Sequence, residues 1–202
     1  MLGMLDEQHR GLLVVVSAPS GGGKDSVIDA LLKIFPNSAR LVTTTTRPKR
    51  PGEIDGINYY FITPETFQTL ITNKELIEYN FYANQYYGTQ KNKLFDALEK
   101  YELIFSNIEV NGKKNMDNAG IKNLSIFLLP ESMDILHKRI VVRGGLTPDV
   151  IEERLKTASK EISQSNSYNY QVVNKEGKLD ETIAQVAEII KNDLISHQEG
   201  AL

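Results

Sequence analysis

The sequence predicts an α/β protein of three layers, a parallel central sheet between helices, with an inserted α+β region. Three observations carry this. Residues 11–18 (GLLVVVSA) form a continuous β-branched run, the pattern of a strand buried on both faces of a parallel sheet. A glycine cluster follows at once and opens a helical pattern. Alternation of apolar strand and amphipathic helix then returns from about residue 95 to the end.

The elements follow in order. Residues 26–35 (SVIDALLKIF) put Val27, Leu31 and Ile34 on one helical face, and Pro36 closes the helix. From 41 to 93 the chain turns rich in Thr, Tyr, Asn and Gly, with short strands in INYYFIT (57–63) and around 81–89. A helix is expected over 64–73, since Pro64 suits a first turn and Glu65 suits the positive end of the helix dipole. Residues 95–100 end a helix, 103–110 read as a strand, and 112–119 as a helical turn or short helix. Residues 124–129 form another buried strand. Residues 131–142 form a helix, broken at Arg143-Gly144-Gly145. Over 148–163, Ile151, Leu155, Ala158 and Ile162 line one helical face. A short strand over 170–174 precedes a last helix over 179–195, with Ile183, Val186, Ile189 and Ile190 inward.

Bulk properties narrow the function. A chain of 202 residues suits one domain with a core of ample size. A net charge of −3 gives no argument for nucleic acid or an anionic membrane. The absence of cysteine excludes disulfides, thiolate catalysis and Cys-based zinc sites. His9, His137 and His197 are scattered without metal-ligand spacing. The start of the chain carries Asp6 and Glu7 and lacks the apolar run of a secretory leader, and no stretch approaches the ~18 apolar residues of a membrane span. The expectation is a cytoplasmic protein, monomer or homodimer, with no nucleic-acid or membrane partner.

The turn after the first strand reads Ala18-Pro19-Ser20-Gly21-Gly22-Gly23-Lys24-Asp25-Ser26. Against the P-loop pattern G-x-x-x-x-G-K-[ST] it matches at Gly23 and Lys24 and departs at both ends. Glycines let the backbone approach an anion closely, and the helix start behind them adds its positive pole. Lys24 is placed to reach β- and γ-phosphates. Asp25 stands where a hydroxyl ordinarily meets Mg²⁺. Two readings stay open: a metal site altered around Asp25 and Ser26, or a solvent-facing acid favoured at a helix start.

Residues 43–61 (TTTTRPKRPGEIDGINYYF) offer a second anion site. Arg47 and Arg50 supply planar donor forks suited to a phosphate.

Several separated motifs then resemble the guanylate kinase family. Thr43, Thr46, Arg47, Arg50, Gly52, Glu53, Gly56 and Tyr59 stand at the spacing of its acceptor loop. Residues 78–89 (EYNFYANQYYGT) and 108–112 (IEVNG) resemble two further segments, and Arg139, Arg143-Gly144 and Arg154 resemble its lid arginines. Val172-Val173-Asn174 resembles its final strand. The likeness runs from about residue 11 to about 190.

The resemblance implies an ATP:GMP phosphotransferase using Mg²⁺, with a core (1–40, 94–138, 158–202), a GMP-binding subdomain (41–93) and a lid (139–157). It implies ATP contacts from Pro19, Ser20, Gly21, Gly22, Gly23, Lys24, Asp25, Ser26 and Asn174. Thr43, Arg47, Arg50, Glu53, Tyr59, Glu78, Tyr87, Gly88, Thr89 and Glu109 would hold GMP. Lys24, Arg47, Arg139, Arg143 and Arg154 would neutralise the transferring phosphoryl group. Guanine offers N1–H and N2–H₂ donors, which the Glu78 and Glu109 carboxylates can accept. Asn107 stands where the family usually has an acid, and Ala18 where the P-loop has its first glycine. Asp25 and Asn107 favour one alternative, a catalytically weakened binding module, and a related P-loop kinase for another acceptor is a third reading.

Overall fold

The computed structural model describes residues 11–82, 84–142 and 144–199. Its first element is β1 (Leu12–Ser17), buried along its whole length. Each large aliphatic side chain so buried contributes about 1.5–3 kcal/mol, which makes β1 the centre of the core. α1 (Lys24–Ile34) follows, and Phe35 ends it by donating its N–H to Leu31 O at 2.9 Å.

β1 is flanked by β7 (Leu103–Ser106) and β8 (Leu124–Pro130), with β2 (Ser38–Arg40) and β9 (Tyr170–Asn174) at the edges, in the parallel order β2-β7-β1-β8-β9. One apolar cluster joins the sheet to α1 and α7 (Leu179–Glu199) through Val14, Val16, Val27, Leu31, Val186 and Ile190. A second covers the opposite face through Leu13, Val15, Leu94, Met116 and Phe127, with α3 (Lys91–Lys100) and α4 (Val110–Asn118). The three-layer α/β reading therefore holds.

A smaller sheet, ordered β4-β3-β6-β5, joins β3 (Thr44–Thr45), β4 (Tyr60–Phe61), β5 (Leu76–Tyr82) and β6 (Gln85–Gln90). α2 (Pro64–Thr72) packs beside it, with Thr63 accepting from Thr66 N and Pro64 in the first turn. α5 (Met133–Val142) and α6 (Pro148–Ser163) meet through Leu136, Ile140 and Ala158.

Several expectations shift. The strand expected over 103–110 stops at Ser106, the last residue of β7 paired with β1, opposite Val15. Glu109 is instead the N-cap of α4, and Val110 buries its side chain from that helix. α4 thus starts two residues before the expected helical turn at 112. The strand region around 81–89 is a hairpin, with Asn84 at φ 63° in its turn and β5 reaching back to Leu76. INYYFIT contributes two strand residues only. The helix expected from 131 starts at Met133. β2 has no apolar alternation to announce it and exists through parallel pairing with β7.

Candidate active site

The turn from β1 to α1 is built by sterics. Gly22 N donates to Pro19 O at 2.7 Å, and Gly21 and Gly23 take φ of 86° and 88°. These are left-handed values that glycine adopts without strain. A Cβ on Gly22 would lie 2.6 Å from the Ala18 methyl, so the bare Gly22 makes room for that methyl. Ala18 is not among the non-glycine residues of positive φ, and the departure from the P-loop pattern is accommodated. Gly23 caps α1 with no side-chain hydrogen bond, which leaves the first helical N–H groups for an external acceptor. Pro19 is buried, Ser20 and Lys24 are half-buried, and Ser26 is exposed.

Two struts hold this turn. Ser17 Oγ donates to Ile108 O at 2.7 Å, joining the end of β1 to the loop after β7. Asn174, at the end of β9, donates from Nδ2 to Gly22 O at 2.9 Å and accepts from Thr182 Oγ1 at 3.1 Å. The resemblance placed Asn174 at ATP. Here it is buried with both ends of its amide engaged by protein, and it meets the turn from behind. Arg139 donates to Asn174 O at 3.3 Å and pairs with Glu176 at 2.8 Å. Gly21 abuts α5, since a Cβ there would lie 3.3 Å from Ile140 Cγ1.

Asp25 Oδ1 accepts from Asn107 Nδ2 at 3.0 Å and from Arg40 Nη1 at 3.2 Å. Partial burial works against its charge, but Asn107, Lys24 and Arg40 outweigh it and hold the carboxyl below its ordinary range.

Across the cleft, Arg47 donates from Nη2 to Glu53 Oε1 at 2.7 Å and from Nη1 to Pro48 O at 2.8 Å. Its guanidinium lies 5.4 Å from the Tyr59 ring centre and 5.6 Å from that of Phe61. Tyr59 meets Tyr87 edge-on at 6.1 Å. Arg50 is exposed, and its backbone N–H donates to Glu53 Oε2 at 2.8 Å. The Arg47 hydrogen bond, then that from Arg50, lowers the Glu53 pKa. Burial raises that of Tyr59, with smaller effects from Tyr87 and from Asp25 across the cleft.

The third group is carboxylic. A bulge in β5 between Leu76 and Glu78 sets Glu78 opposite Thr89, whose Oγ1 donates to Glu78 Oε1 at 2.6 Å. A Cβ on Gly112 would lie 3.6 Å from Glu78 Oε2, so bare backbone borders that oxygen. Burial raises the Glu78 pKa, and Glu109 adds to the rise. Thr43 is half-buried, its carbonyl accepting from Tyr60 N at 2.9 Å. Gly88 is bare for packing reasons, since a Cβ would lie 2.8 Å from Glu78 O and 3.0 Å from the Phe67 ring.

Arg154 is half-buried on α6, and Arg143 lies outside the described residues. Glu161, not singled out from sequence, shares this region. Burial and the charge of Glu109 push its carboxyl up to about 7, against the pull of Lys24. It stands seven residues after Arg154 on α6, hence on the same helical face, and that spacing was the signal that could have found it. Asp25, Lys24, Glu109, Glu161, Tyr59 and Arg47 are therefore one electrostatically connected set.

A family model described as guanylate kinase matches residues 10–193. The chain belongs to the guanylate kinase family. A guanylate kinase of Desulfitobacterium hafniense is 39% identical over 170 residues, 84% of this chain and 85% of that protein. One of Oceanobacillus iheyensis is 37% identical over 194 residues, 96% of this chain and 93% of that protein. The crystal structure of guanylate kinase from Anaplasma phagocytophilum superposes with a TM-score of 0.69 at 31% identity, covering 91% of this chain and 86% of that one. Among the described residues no helix is long and apolar enough to cross a membrane, and no three His, Asp or Glu side chains gather to hold a metal ion. In a guanylate kinase fold that is no obstacle to Mg²⁺, which takes one or two carboxylates and completes its shell with substrate phosphates and water. Asp25 beside the phosphate turn fits that requirement.

Proposed function

We propose that this protein transfers the γ-phosphoryl group of ATP to GMP or dGMP, giving ADP and GDP or dGDP. The observation that carries the acceptor assignment is the Glu78–Thr89 pair. A half-buried carboxylate, with one oxygen bonded to Thr89 and the other bordering bare backbone, is an acceptor that needs donors. Guanine supplies them at N1–H and N2–H₂. Adenine has no N1–H and would leave the carboxylate unpaired, and a site built on such bonds rejects the wrong ligand by about 10⁴–10⁵.

The other residues fall into place around that pair. Arg47, Arg50, Tyr59 and Tyr87 hold the acceptor phosphate, with Glu53 fixing the Arg47 fork. The 41–93 segment is the GMP-binding subdomain, and Glu109, at the start of α4, stands close enough to Glu78 to raise its pKa. The glycine turn and Lys24 hold the ATP phosphates, with Ser26 and Pro19 at its margins. Asn174 acts through the turn it braces. Arg139 and Arg154 flank the transferring group in the 139–157 lid, with Arg143 assigned there from its motif.

No covalent enzyme intermediate is needed. A phosphate oxygen of GMP attacks the γ-phosphorus, and the bond to the bridging β–γ oxygen breaks, leaving ADP. The protein supplies alignment and charge screening. Bound Mg²⁺ would neutralise charge on the donor phosphates. Closure of the lid over the cleft excludes water and suppresses ATP hydrolysis.

The test is to supply ATP and Mg²⁺ with GMP, AMP, UMP or CMP and to follow both products. Matched ADP and GDP at roughly 1–100 s⁻¹, with the other acceptors idle, is the expected result. ADP formation faster with AMP or UMP would overturn the acceptor assignment.

A further inference from the structure

We propose that Asp25 is the protein's carboxylate toward the divalent cation of MgATP, and that Arg40 and Asn107 are the positioning residues that hold it there. The inference rests on the phosphotransferase reading above. In P-loop proteins the residue after the lysine ordinarily offers a neutral hydroxyl to Mg²⁺, and an acid comes from a neighbouring strand. In this chain both positions are changed, and the changes are reciprocal. The residue after Lys24 is the acid Asp25, and the residue just past the end of β7, next to β1 in the sheet, is the neutral Asn107.

The two side chains touch. Asn107 Nδ2 donates to Asp25 Oδ1 at 3.0 Å. A carboxylate demands a donor, so the amide presents its NH₂ to Asp25 and keeps its own oxygen for another partner. The charge has moved across the contact, from the strand side to the helix side, and the site keeps one carboxylate and one neutral oxygen.

Arg40 fixes the arrangement from β2. One arm of its guanidinium donates to Asp25 Oδ1 at 3.2 Å, and the other reaches Asp29 at 2.8 Å, one helical turn further along α1. Both bonds to Asp25 fall on Oδ1, which leaves Oδ2 for a ligand. That side chain is 57% exposed, so a hydrated cation has access. Lys24 precedes it at the start of α1, and its charge reaches Tyr59 across the cleft. A carboxylate there without a cation would repel the triphosphate. Its presence ties nucleotide binding to the metal, while Arg40 holds the carboxylate in orientation.

The experiment is calorimetric binding of the non-hydrolysable analogue AMP-PNP with and without Mg²⁺, paired with Mn²⁺ electron paramagnetic resonance of the ternary complex. The proteins are the wild type, Asp25→Ser, Asn107→Asp, Arg40→Gln and the exchange variant Asp25→Ser with Asn107→Asp. Asp25→Ser should cut the tightening by Mg²⁺ about 10–100-fold, and Arg40→Gln about tenfold, the range for groups that orient a metal ligand. The exchange variant should recover most of what Asp25→Ser loses. Each change lies at an exposed or half-buried side chain, and an unchanged melting temperature confirms a folded protein. Undiminished tightening in Asp25→Ser, with an unaltered Mn²⁺ spectrum, makes Asp25 a solvated helix-start acid and overturns the proposal. A failed exchange variant overturns the reciprocal assignment. A wild type that binds neither AMP-PNP nor GMP overturns the phosphotransferase reading itself, a different result from metal-independent binding.

Discussion

Asn174 Nδ2 donates to the carbonyl oxygen of Gly22 across 2.9 Å, joining residues 152 positions apart in the chain. The same amide occupies the space where a side chain on Gly23 would begin, since a Cβ there would lie 2.6 Å from Asn174 Nδ2. The edge strand β9 therefore clamps the phosphate turn, and the turn's glycines are matched to the clamp. Replacing Asn174 with Ala leaves Gly22 O without its donor and leaves Thr182 Oγ1 only its longer bond to Lys178 O at 3.3 Å. The expected cost is about 2 kcal/mol, or a fall in melting temperature of ~4–8 °C for a chain of this size. Steady-state kinetics should show the KM for ATP raised about tenfold or more (about 1.4 kcal/mol of the same loss), with the KM for GMP within about twofold. An equal rise in both constants would mean that the clamp does not act through the turn.

Glu78→Gln keeps an acceptor for Thr89 Oγ1 and removes the charge. Hydrogen bonds to a charged group are worth about 1.5–3 kcal/mol, so kcat/KM for GMP should fall roughly 10–150-fold while ATP binding stays unchanged. A pH series adds a second signature. Burial, reinforced by Glu109, raises the Glu78 pKa, so the carboxylate takes up a proton earlier than an ordinary glutamate as the solution is acidified. In the proposed site, ionised Glu78 is the form that would accept from guanine. Affinity should therefore weaken as pH falls through the raised value and level off above it. Guanosine is the probe for this titration, because the phosphate of GMP itself takes a proton near pH 6. Calorimetry from pH 4.5 to 8 should show the slope in the wild type and a flat line in the Gln variant.

Where the sequence marks an element locally, sequence and structure agree. Pro148 in the first turn and the glycine pair before it delimit α6 (Pro148–Ser163) at both levels. β9 is bounded alike because an apolar pair follows a polar stretch. The failures are elements defined by their partners. Ser38, Ala39 and Arg40 carry no strand pattern and become β2 by lying along β7. Val110 reads as the end of a strand by composition and is buried from a helix, because the pairing of β7 with β1 ends at Ser106 and Glu109 caps α4. The site divides the same way. Motif residues near one another in sequence, such as Arg47, Glu53 and Tyr59, were legible as a group. The contacts of Asp25 with Asn107 and of Asn174 with Gly22 are made by the strand order β2-β7-β1-β8-β9, and sequence spacing has no access to that order.

Arg47→Lys tests whether the guanidinium is a fork or only a charge. Its Nη2 holds Glu53 and its Nη1 holds Pro48 O, so the plane of the group is fixed above the Tyr59 and Phe61 rings. A lysine offers one ammonium and cannot keep both bonds while facing a phosphate. The KM for GMP should rise about 10–100-fold, with the KM for ATP unmoved, since charge-assisted bidentate bonds are roughly twice as strong as neutral ones. Recovery of wild-type kinetics with Lys would show that position 47 contributes charge alone.

The environment of Glu161 fixes the sign of its effect on stability. Burial and the neighbouring Glu109 raise its folded-state pKa to about 7, while the unfolded chain has an ordinary carboxyl. Between the two values the folded protein binds more protons than the unfolded one, so stability falls as pH rises through this window and is level above it. The ionised carboxylate is thus a strain on the ligand-free protein at neutral pH. Glu161→Gln removes the titration. Because the group is partly solvated, screening limits the gain to about 1 kcal/mol, or ~2–4 °C in melting temperature. The variant should be more stable than the wild type at pH 8, and the difference should shrink toward zero by pH 4.5. Differential scanning calorimetry across that range measures it, and a gain independent of pH would place the cause in packing instead of charge. If the carboxylate also meets a ligand, the same variant should melt higher alone and gain less than the wild type when ATP and GMP are added.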